Sequence, residues 1–444
     1  MPPTDPKILK GFRDYLPEDM VPRQAILERI ARAFESFGFA PLYTPALEYA
    51  EILLGKYGEE GEKLLYRFRD HGERDVCLRY DLTVPLARVC AMYPDLERPF
   101  RRYQIGPVWR GENTGAGRFR EFFQCDVDVV GSAAPAADAE VIAAGCAALE
   151  ALGVREFEVR LNHRRVLDGL LELAGVEPGP RARAALREVD KLPKVGADAV
   201  RRSLVEAAGL SDAQAGQVLA LLQAPPGRDE ALAHLERAFA AVPAGQEGTA
   251  ALRRLLQLLD AQGLGQRIAL DLSIARGLDY YTGAIYETML AQLPAVGSVM
   301  SGGRYDGLIG MFSKDPVPAV GISVGVDRLF YALSELKLVA ARRWTAPVLV
   351  TVFGDAELPA SLALAAELRR AGVGAEVFPD AGKLGRQFKF ADKKGVPAVA
   401  VLGPDELAAG LVTVKWLRES REEKLPRAQA VETLRAKFGG TAGA

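Results

Sequence analysis

The chain has 444 residues, 56 Lys and Arg against 58 Asp and Glu, and a formal net charge of −2. That length suits two or three domains, each with its own core, and the near-neutral balance argues against a general nucleic-acid coat while leaving room for a nucleic-acid partner met through local patches. No run of about 18 apolar residues occurs, so no segment is expected to span a membrane, and the N-terminus MPPTDPKILKGFRDYLP lacks a signal-peptide core, which makes the cytoplasm the expected compartment.

The helical spacing of apolar residues over 21–38, closed by Gly38, predicts a helix, and the proline-bearing FAPLYTPALEY after it reads as an edge or interface strand. Residues 76–93 read as a strand, VCLRYDLT, that turns helical after Pro85. From Phe100 to Gly131 two apolar-rich strands flank the Gly-rich loop GENTGAG, the pattern of an antiparallel hairpin. On the second strand Gln124, Asp126 and Asp128 share one face and Cys125, Val127 and Val129 the other. Three polar groups on one face read either as a ligand surface or as the solvated side of a sheet.

Residues 138–152 read as a helix and 156–162 as a strand. From 164 to 265 the composition shifts to Ala, Leu, Arg and Glu at helical spacing, which predicts a separate all-helical insertion. Strands resume at RIALDLS (267–273) and AIYETML, and AVGISVGVDRLFYALSEL (319–336) reads as a strand that becomes a helix near Gly325. Residues 338–346 form an expected linker. Beyond it β and α patterns alternate to the end, giving a compact α/β domain over 347–444 whose helix LGRQFKFADKK closes on Gly395.

Four widely spaced cysteines (Cys77, Cys90, Cys125, Cys146) contain no C-x-x-C, so a zinc site is not expected and buried thiols are. His71, His163 and His234 stand beside no nucleophile motif, which leaves Ser-His or Cys-His hydrolysis without support. The most concentrated polar stretch is RGLDYYTG (276–283), with one cation, one carboxylate and two phenols in eight residues.

This stretch resembles a signature of histidyl-tRNA synthetases, a class II aminoacyl-tRNA synthetase family. The rest follows in order: the 21–38 helix with TPALE is similar to motif 1, YQIGPVWRGENTGAGRFREFFQCDVDVVG to motif 2, AVGISVGVDRL to motif 3, and SGGRYDGL to the second histidine motif. The resemblance implies an α+β catalytic domain (1–163 and 266–337) with a mainly antiparallel sheet, the helical insertion, and a C-terminal α/β anticodon-binding domain. It also implies a homodimer through motif 1, and L-histidine, ATP and tRNA(His) as partners. Mg²⁺ is expected with ATP and no metal site of the protein's own.

The chemistry agrees. A substrate carboxylate attacking the α-phosphate of ATP needs no general base; it needs alignment and neutralisation of phosphate charge, which guanidinium supplies bidentately. By the resemblance, Arg110 binds the α-phosphate and the amino acid carboxylate, Arg276 does the work of a metal ion or base, and Arg118 and Arg328 reach the terminal phosphates. Glu112 joins the ATP site and Phe122 covers the adenine. Asp81 and Thr83 hold the α-ammonium, and Gln124 the amino or carboxyl end. Asp128 and Tyr281 meet the two imidazole nitrogens, with Tyr280 and Tyr305 lining the pocket. Many bacterial members carry Glu where this chain has Asp81 and Asp128, so its pocket is closer to the eukaryotic type. The motif 2 loop Gly111–Gly117 carries no Arg or Lys, which leaves reading of the extra 5′ guanine of tRNA(His) open. Arg386, Gln387 and Lys389 are the candidate anticodon contacts. A non-catalytic regulatory subunit of histidine biosynthesis is the alternative. Such paralogues typically lack the last domain and lose the ATP-site arginines, whereas this chain keeps Arg110, Arg276 and Arg328.

Overall fold

A computed structural model of the chain describes residues 4–57, 61–115, 117–223, 225, 227–277, 280–313, 316–339 and 342–439. Leu278 and Asp279 of the RGLDYYTG stretch, Ala116 of the Gly-rich loop and part of the 338–346 linker lie outside them. The chain forms two compact units: Arg29–Leu338 with the N-terminal residues up to Arg13, and Asp14–Glu28 with the chain from Val339 onward.

The strands of the first unit are β1 (Ala40–Pro41), β2 (Leu47–Tyr49), β3 (Arg67–Arg69), β4 (Asp75–Leu78), β5 (Phe100–Trp109), β6 (Glu121–Val130), β7 (Phe157–His163), β8 (Ile268–Leu270), β9 (Ala284–Leu290), β10 (Met300–Arg304) and β11 (Ala319–Gly325). Eight of them form one sheet in the order β1-β5-β6-β11-β10-β9-β7-β8. Its six central strands pair antiparallel, and only the marginal pairs β1–β5 and β7–β8 are parallel. β2, β4 and β3 form a small antiparallel sheet. The proline-bearing β1 sits at the edge, where a missing N–H breaks no ladder.

The helix Pro135–Ala151 is apolar nearly all round, with Val141, Ile142, Ala144 and Leu149 among its buried residues, so it lies against the sheet rather than on the surface. Two sequence readings shift. RIALDLS gives only the three-residue edge strand β8 before the chain turns. The helix expected after Pro85 starts earlier, at Thr83. Asp81 explains this: its Oδ1 accepts from the N–H groups of Thr83 and Val84 at 3.2 and 3.0 Å, which starts the helix. Pro85 then falls in the first turn, where an N–H has no intrahelical acceptor to lose.

Between β7 and β8 the described chain is helical: Arg164–Leu173, Pro180–Val189, Leu192–Val195, Ala197–Glu206, Asp212–Leu222, Arg228–Ala238 and Pro243–Ala261. Ser211 and Gln214 close a reciprocal capping box at one start. The stretch belongs to the same compact unit as the sheet, and its first and last helices pack on each other, the last also on Pro135–Ala151. An amphipathic helix needs a partner for its apolar stripe, and here the partner is the sheet-covering helix.

The second unit has a five-stranded sheet, β12 (Val348–Val350), β13 (Ala375–Val377), β14 (Ala398–Val401), β15 (Leu411–Trp416) and β16 (Arg421–Pro426), in the order β13-β12-β14-β15-β16. The first three strands are parallel, the last two antiparallel. VLV and AVAV are buried throughout, as strands covered on both faces are. The helices Leu358–Arg370 and Arg427–Phe438 supply Leu364, Leu368, Leu434 and Phe438 to one core, and Leu384–Lys394 supplies Ala391 to another. Gly395 ends the last of these in the left-handed region, as its place after Lys393-Lys394 predicts. Strand β16, REEKLP, escapes sequence reading because a charged, exposed edge strand carries no apolar alternation.

Candidate active site

One cavity of about 360 Å³ opens over the middle of the eight-stranded sheet. Its floor is β6, held between β5 and β11. The alternation noted in the sequence places Gln124, Asp126 and Asp128 in the lining, so that face is the wall of a cavity and not the solvated side of a sheet. Both aspartates are 2% exposed.

The deep end is acidic. Asp128 Oδ2 lies 2.7 Å from Nη2 of the fully buried Arg102, its register partner on β5, and Asp128 Oδ1 accepts from Tyr305 Oη. A Cβ at Gly321, across the ladder on β11, would overlap that carboxylate, so only glycine leaves it room. Asp126, on the same face, is pushed up to about 7 by burial; Arg102 opposes the rise and Asp128 adds to it. Among the described residues its Oδ1 and Gln124 Oε1 have no hydrogen-bond partner, while Gln124 Nε2 donates to Ser323 Oγ at 2.7 Å. Asp81 also faces the cavity; Tyr57 Oη donates to it at 3.1 Å, yet burial still raises its carboxyl above the usual range. Three buried or half-buried carboxylates converge here, and of the cavity-lining groups at this end none is a cation. Orphaned buried acceptors are costly, so the cavity is shaped for a cationic, hydrogen-bond-donating ligand.

The outer end is cationic. Arg328 lies in the first turn of the helix Val326–Glu335, where its charge opposes the helix dipole. Burial lowers its pKa, and Arg118 and Arg276 lower it further. It donates to the carbonyl of Ser298, while its neighbour Asp327 accepts from Phe123 N at 2.8 Å and so ties this helix to β6. Arg110 donates from Nε to Tyr80 O at 3.0 Å, and its guanidinium carbon lies 4.2 Å from the Tyr80 ring centroid and 5.2 Å from that of Phe122. Glu112 stands 3.9 Å from both Arg110 and Arg118. Arg276 meets Glu287 Oε1 at 2.7 Å. Four guanidiniums gathered around one open cavity are a ready site for a polyanion.

Tyr280 and Tyr281 form a side wall with ring centroids 4.3 Å apart. Gly277, at φ 64°, allows it: a Cβ there would run into the Tyr281 ring. Every residue the sequence reading placed around histidine or ATP lines this cavity: Asp81, Thr83, Arg110, Glu112, Arg118, Phe122, Gln124, Asp128, Arg276, Tyr280, Tyr281, Tyr305 and Arg328. Sequence reasoning assigned no role to Asp126, although it stood in the same alternating face, and missed Arg102, whose place opposite Asp128 depends on hairpin register. It also missed Glu287 and Asp327, single acids inside ordinary amphipathic stretches.

In the second unit one assignment is corrected. Gln387 is 1% exposed and spends its amide on the backbone, accepting from Val352 N at 2.9 Å and donating to Val352 O at 2.7 Å and Gly382 O at 3.1 Å. It clamps a strand end to a helix and has no free edge for RNA. Arg386, paired with Asp380 at 3.2 Å, and Lys389 are exposed. All four cysteines are buried, as expected. His163 is buried and caps the helix Arg164–Leu173 by accepting from Arg165 N.

Comparison with known proteins agrees with this geometry. Residues 11–329 match the family model described as histidyl-tRNA synthetase, and residues 347–437 match the anticodon binding domain. A histidine–tRNA ligase of Rhodopirellula baltica is 44% identical over 425 residues, covering 94% of this chain and 95% of that protein. The crystal structure of a histidyl-tRNA synthetase from Nostoc sp. PCC 7120 matches with a TM-score of 0.88 at 32% identity, over 98% of this chain and 100% of the other. A Bacillus halodurans structure described as an ATP phosphoribosyltransferase regulatory subunit/histidyl-tRNA synthetase matches with a TM-score of 0.74 at 25% identity, over 87% and 97%.

Proposed function

Because the chain belongs to the histidyl-tRNA synthetase family, we propose that it is a histidine–tRNA ligase that activates L-histidine with ATP and passes it to the 3′ end of tRNA(His). The observation that carries this reading is the polarity of the cavity, with carboxylates at one end and guanidiniums at the other. An amino acid's ammonium and a nucleotide's phosphates need those two ends, and the join between them is where the carboxylate meets the α-phosphate.

In the first step a histidine carboxylate oxygen bonds to the α-phosphorus, the bond to the β-phosphate bridge breaks, and diphosphate leaves with the electron pair. The nucleophile is already an anion, so the protein supplies position and charge. Arg110 and Arg276 neutralise the reacting phosphate and carboxylate. Arg118 and Arg328 take the terminal phosphates, Glu112 spaces Arg110 from Arg118, and Phe122 covers the adenine. Asp81 and Thr83 receive the α-ammonium, with Gln124 beside them. Asp128 and Tyr281 meet the imidazole, and Tyr280 and Tyr305 close its pocket. Magnesium, if brought by ATP, would add charge neutralisation on the phosphates with few ligands needed from the protein.

In the second step a ribose hydroxyl at the tRNA 3′ end attacks the adenylate carbonyl and AMP leaves. The C-terminal domain holds the anticodon, with Arg386 and Lys389 as candidate contacts. The enzyme is of class II, works in the cytoplasm and acts as a homodimer through the 21–50 region; a stable, active monomer in sedimentation would contradict the dimer. No described helix is long and apolar enough to cross a membrane. The regulatory reading is disfavoured because Arg110, Arg276 and Arg328 all line the cavity. Aminoacylation tests the proposal: the purified chain should attach histidine to tRNA(His) with ATP, and failure under conditions that support a known ligase would overturn it.

A further inference from the structure

Arg276 is approached by carboxylates from two parts of the chain. Its Nε lies 2.7 Å from Glu287 Oε1 on β9 and 3.7 Å from Asp190 Oδ1. Glu287 belongs to the sheet, and its side chain is only 12% exposed. Asp190 belongs to the helical stretch and ends the helix Pro180–Val189, its N–H donating to Leu186 O at 3.0 Å.

A carboxylate at a helix C-terminus faces the negative end of the helix dipole, so Asp190 is unfavourably placed unless a cation meets it. The adjacent Lys191 is taken by Glu188 at 2.7 Å. Among the described residues the cation that meets Asp190 is Arg276, which lines the cavity. Arg276 gains by the contact as well. It shares the cavity with Arg118 and Arg328, and like charges around one cavity repel unless anions hold them in place. Both carboxylates approach the Nε edge of the guanidinium, and two anchors on that edge restrain its orientation more than Glu287 alone.

We infer that Asp190 is a positioning residue for Arg276, through which the helical stretch sets the orientation of the guanidinium facing the reacting phosphate. The inference rests on the function proposed above. It gives the helical stretch a part in activation itself, before any tRNA is bound.

The test is a double-variant cycle on the full chain, with ATP–diphosphate exchange measured without tRNA. Asp190→Asn should lower kcat about 2- to 5-fold, the scale of a half-exposed charge pair, with KM for histidine and ATP within about twofold. In an Arg276→Ala background, read by single-turnover adenylate formation, the same change should have an effect below about 1.5-fold, because a residue acting through Arg276 has nothing left to position. Loss of less than about 1.5-fold in the parent background, or an equal factor in both, would overturn the inference. An unaltered chain that lacks histidine-dependent exchange would instead overturn the proposed function.

Discussion

Asp128→Ala probes the foundation of the cavity. Arg102 is fully buried, and among the described residues its Nε and Nη1 have no hydrogen-bond partner. Its Nη2 donates to Leu82 O at 3.2 Å and lies 2.7 Å from Asp128. Removing the carboxylate leaves a buried guanidinium facing a carbonyl, and frees Tyr305 Oη from its acceptor. Breaking a buried pair from one side costs about 3–5 kcal/mol. The lower half of that range is expected, because Asp126 sits beside Arg102 and can ionise to replace part of the lost charge. Arg102→Leu combined with Asp128→Ala should recover about 2 kcal/mol or more relative to the sum of the single changes, since the unpaired charge is gone. Urea unfolding followed by tryptophan fluorescence and far-UV circular dichroism measures both. A single variant within about 1 kcal/mol of the parent, or a strictly additive double variant, would refute the claim that this ion pair underpins the floor. Activity is better tested with the isosteric Asp128→Asn, which should lower kcat/KM for histidine by more than about tenfold; a change within threefold would place imidazole recognition elsewhere.

Arg276→Ala should lower kcat for adenylate formation by about 10²–10³ with the fold intact, as deletion of one preorganised charge stabiliser does; near-normal exchange would remove it from the chemistry. Gln387→Ala should cost about 1–3 kcal/mol in stability by orphaning Val352 and Gly382 backbone groups, with KM for tRNA unchanged; a selective rise in that KM would restore it as an RNA contact. Asp126 gives a pH signature. Its folded pKa, about 7, lies above the ordinary carboxyl value of 3.8, so the folded state holds the extra proton between them. The stability it allows is present below the unfolded value and is lost as pH rises through about 7, with a slope approaching about 1.4 kcal/mol per pH unit. Asp126→Asn should therefore gain stability on the parent as pH rises from about 4 to about 7 and hold that gain above it; a constant difference across that range would show that Asp126 ionises freely.

The parts of this protein legible in its sequence are those written in short-range periodicity. The β5–β6 hairpin announces itself by two apolar runs around glycines, the β6 ligand face by a period of two, and the terminal α/β unit by alternating patterns. Contacts set by register or long loops are not written locally. Arg102 reads as one more surface arginine until β5 is laid against β6. Gln387 reads as a polar helix residue until the end of β12 closes on it. Asp81 shows the middle case: the motif marks it as a site residue, but its second task, starting the helix at Thr83, appears only when the backbone is followed in space.

ATP–diphosphate exchange, assayed in the absence of tRNA with each of the standard amino acids in turn, tests the central claim most directly. Exchange should depend on histidine and discriminate against the others by about 10⁴ or more, because a substrate without the imidazole leaves buried polar groups unpaired. Exchange with a different amino acid, or none with histidine, would contradict the account.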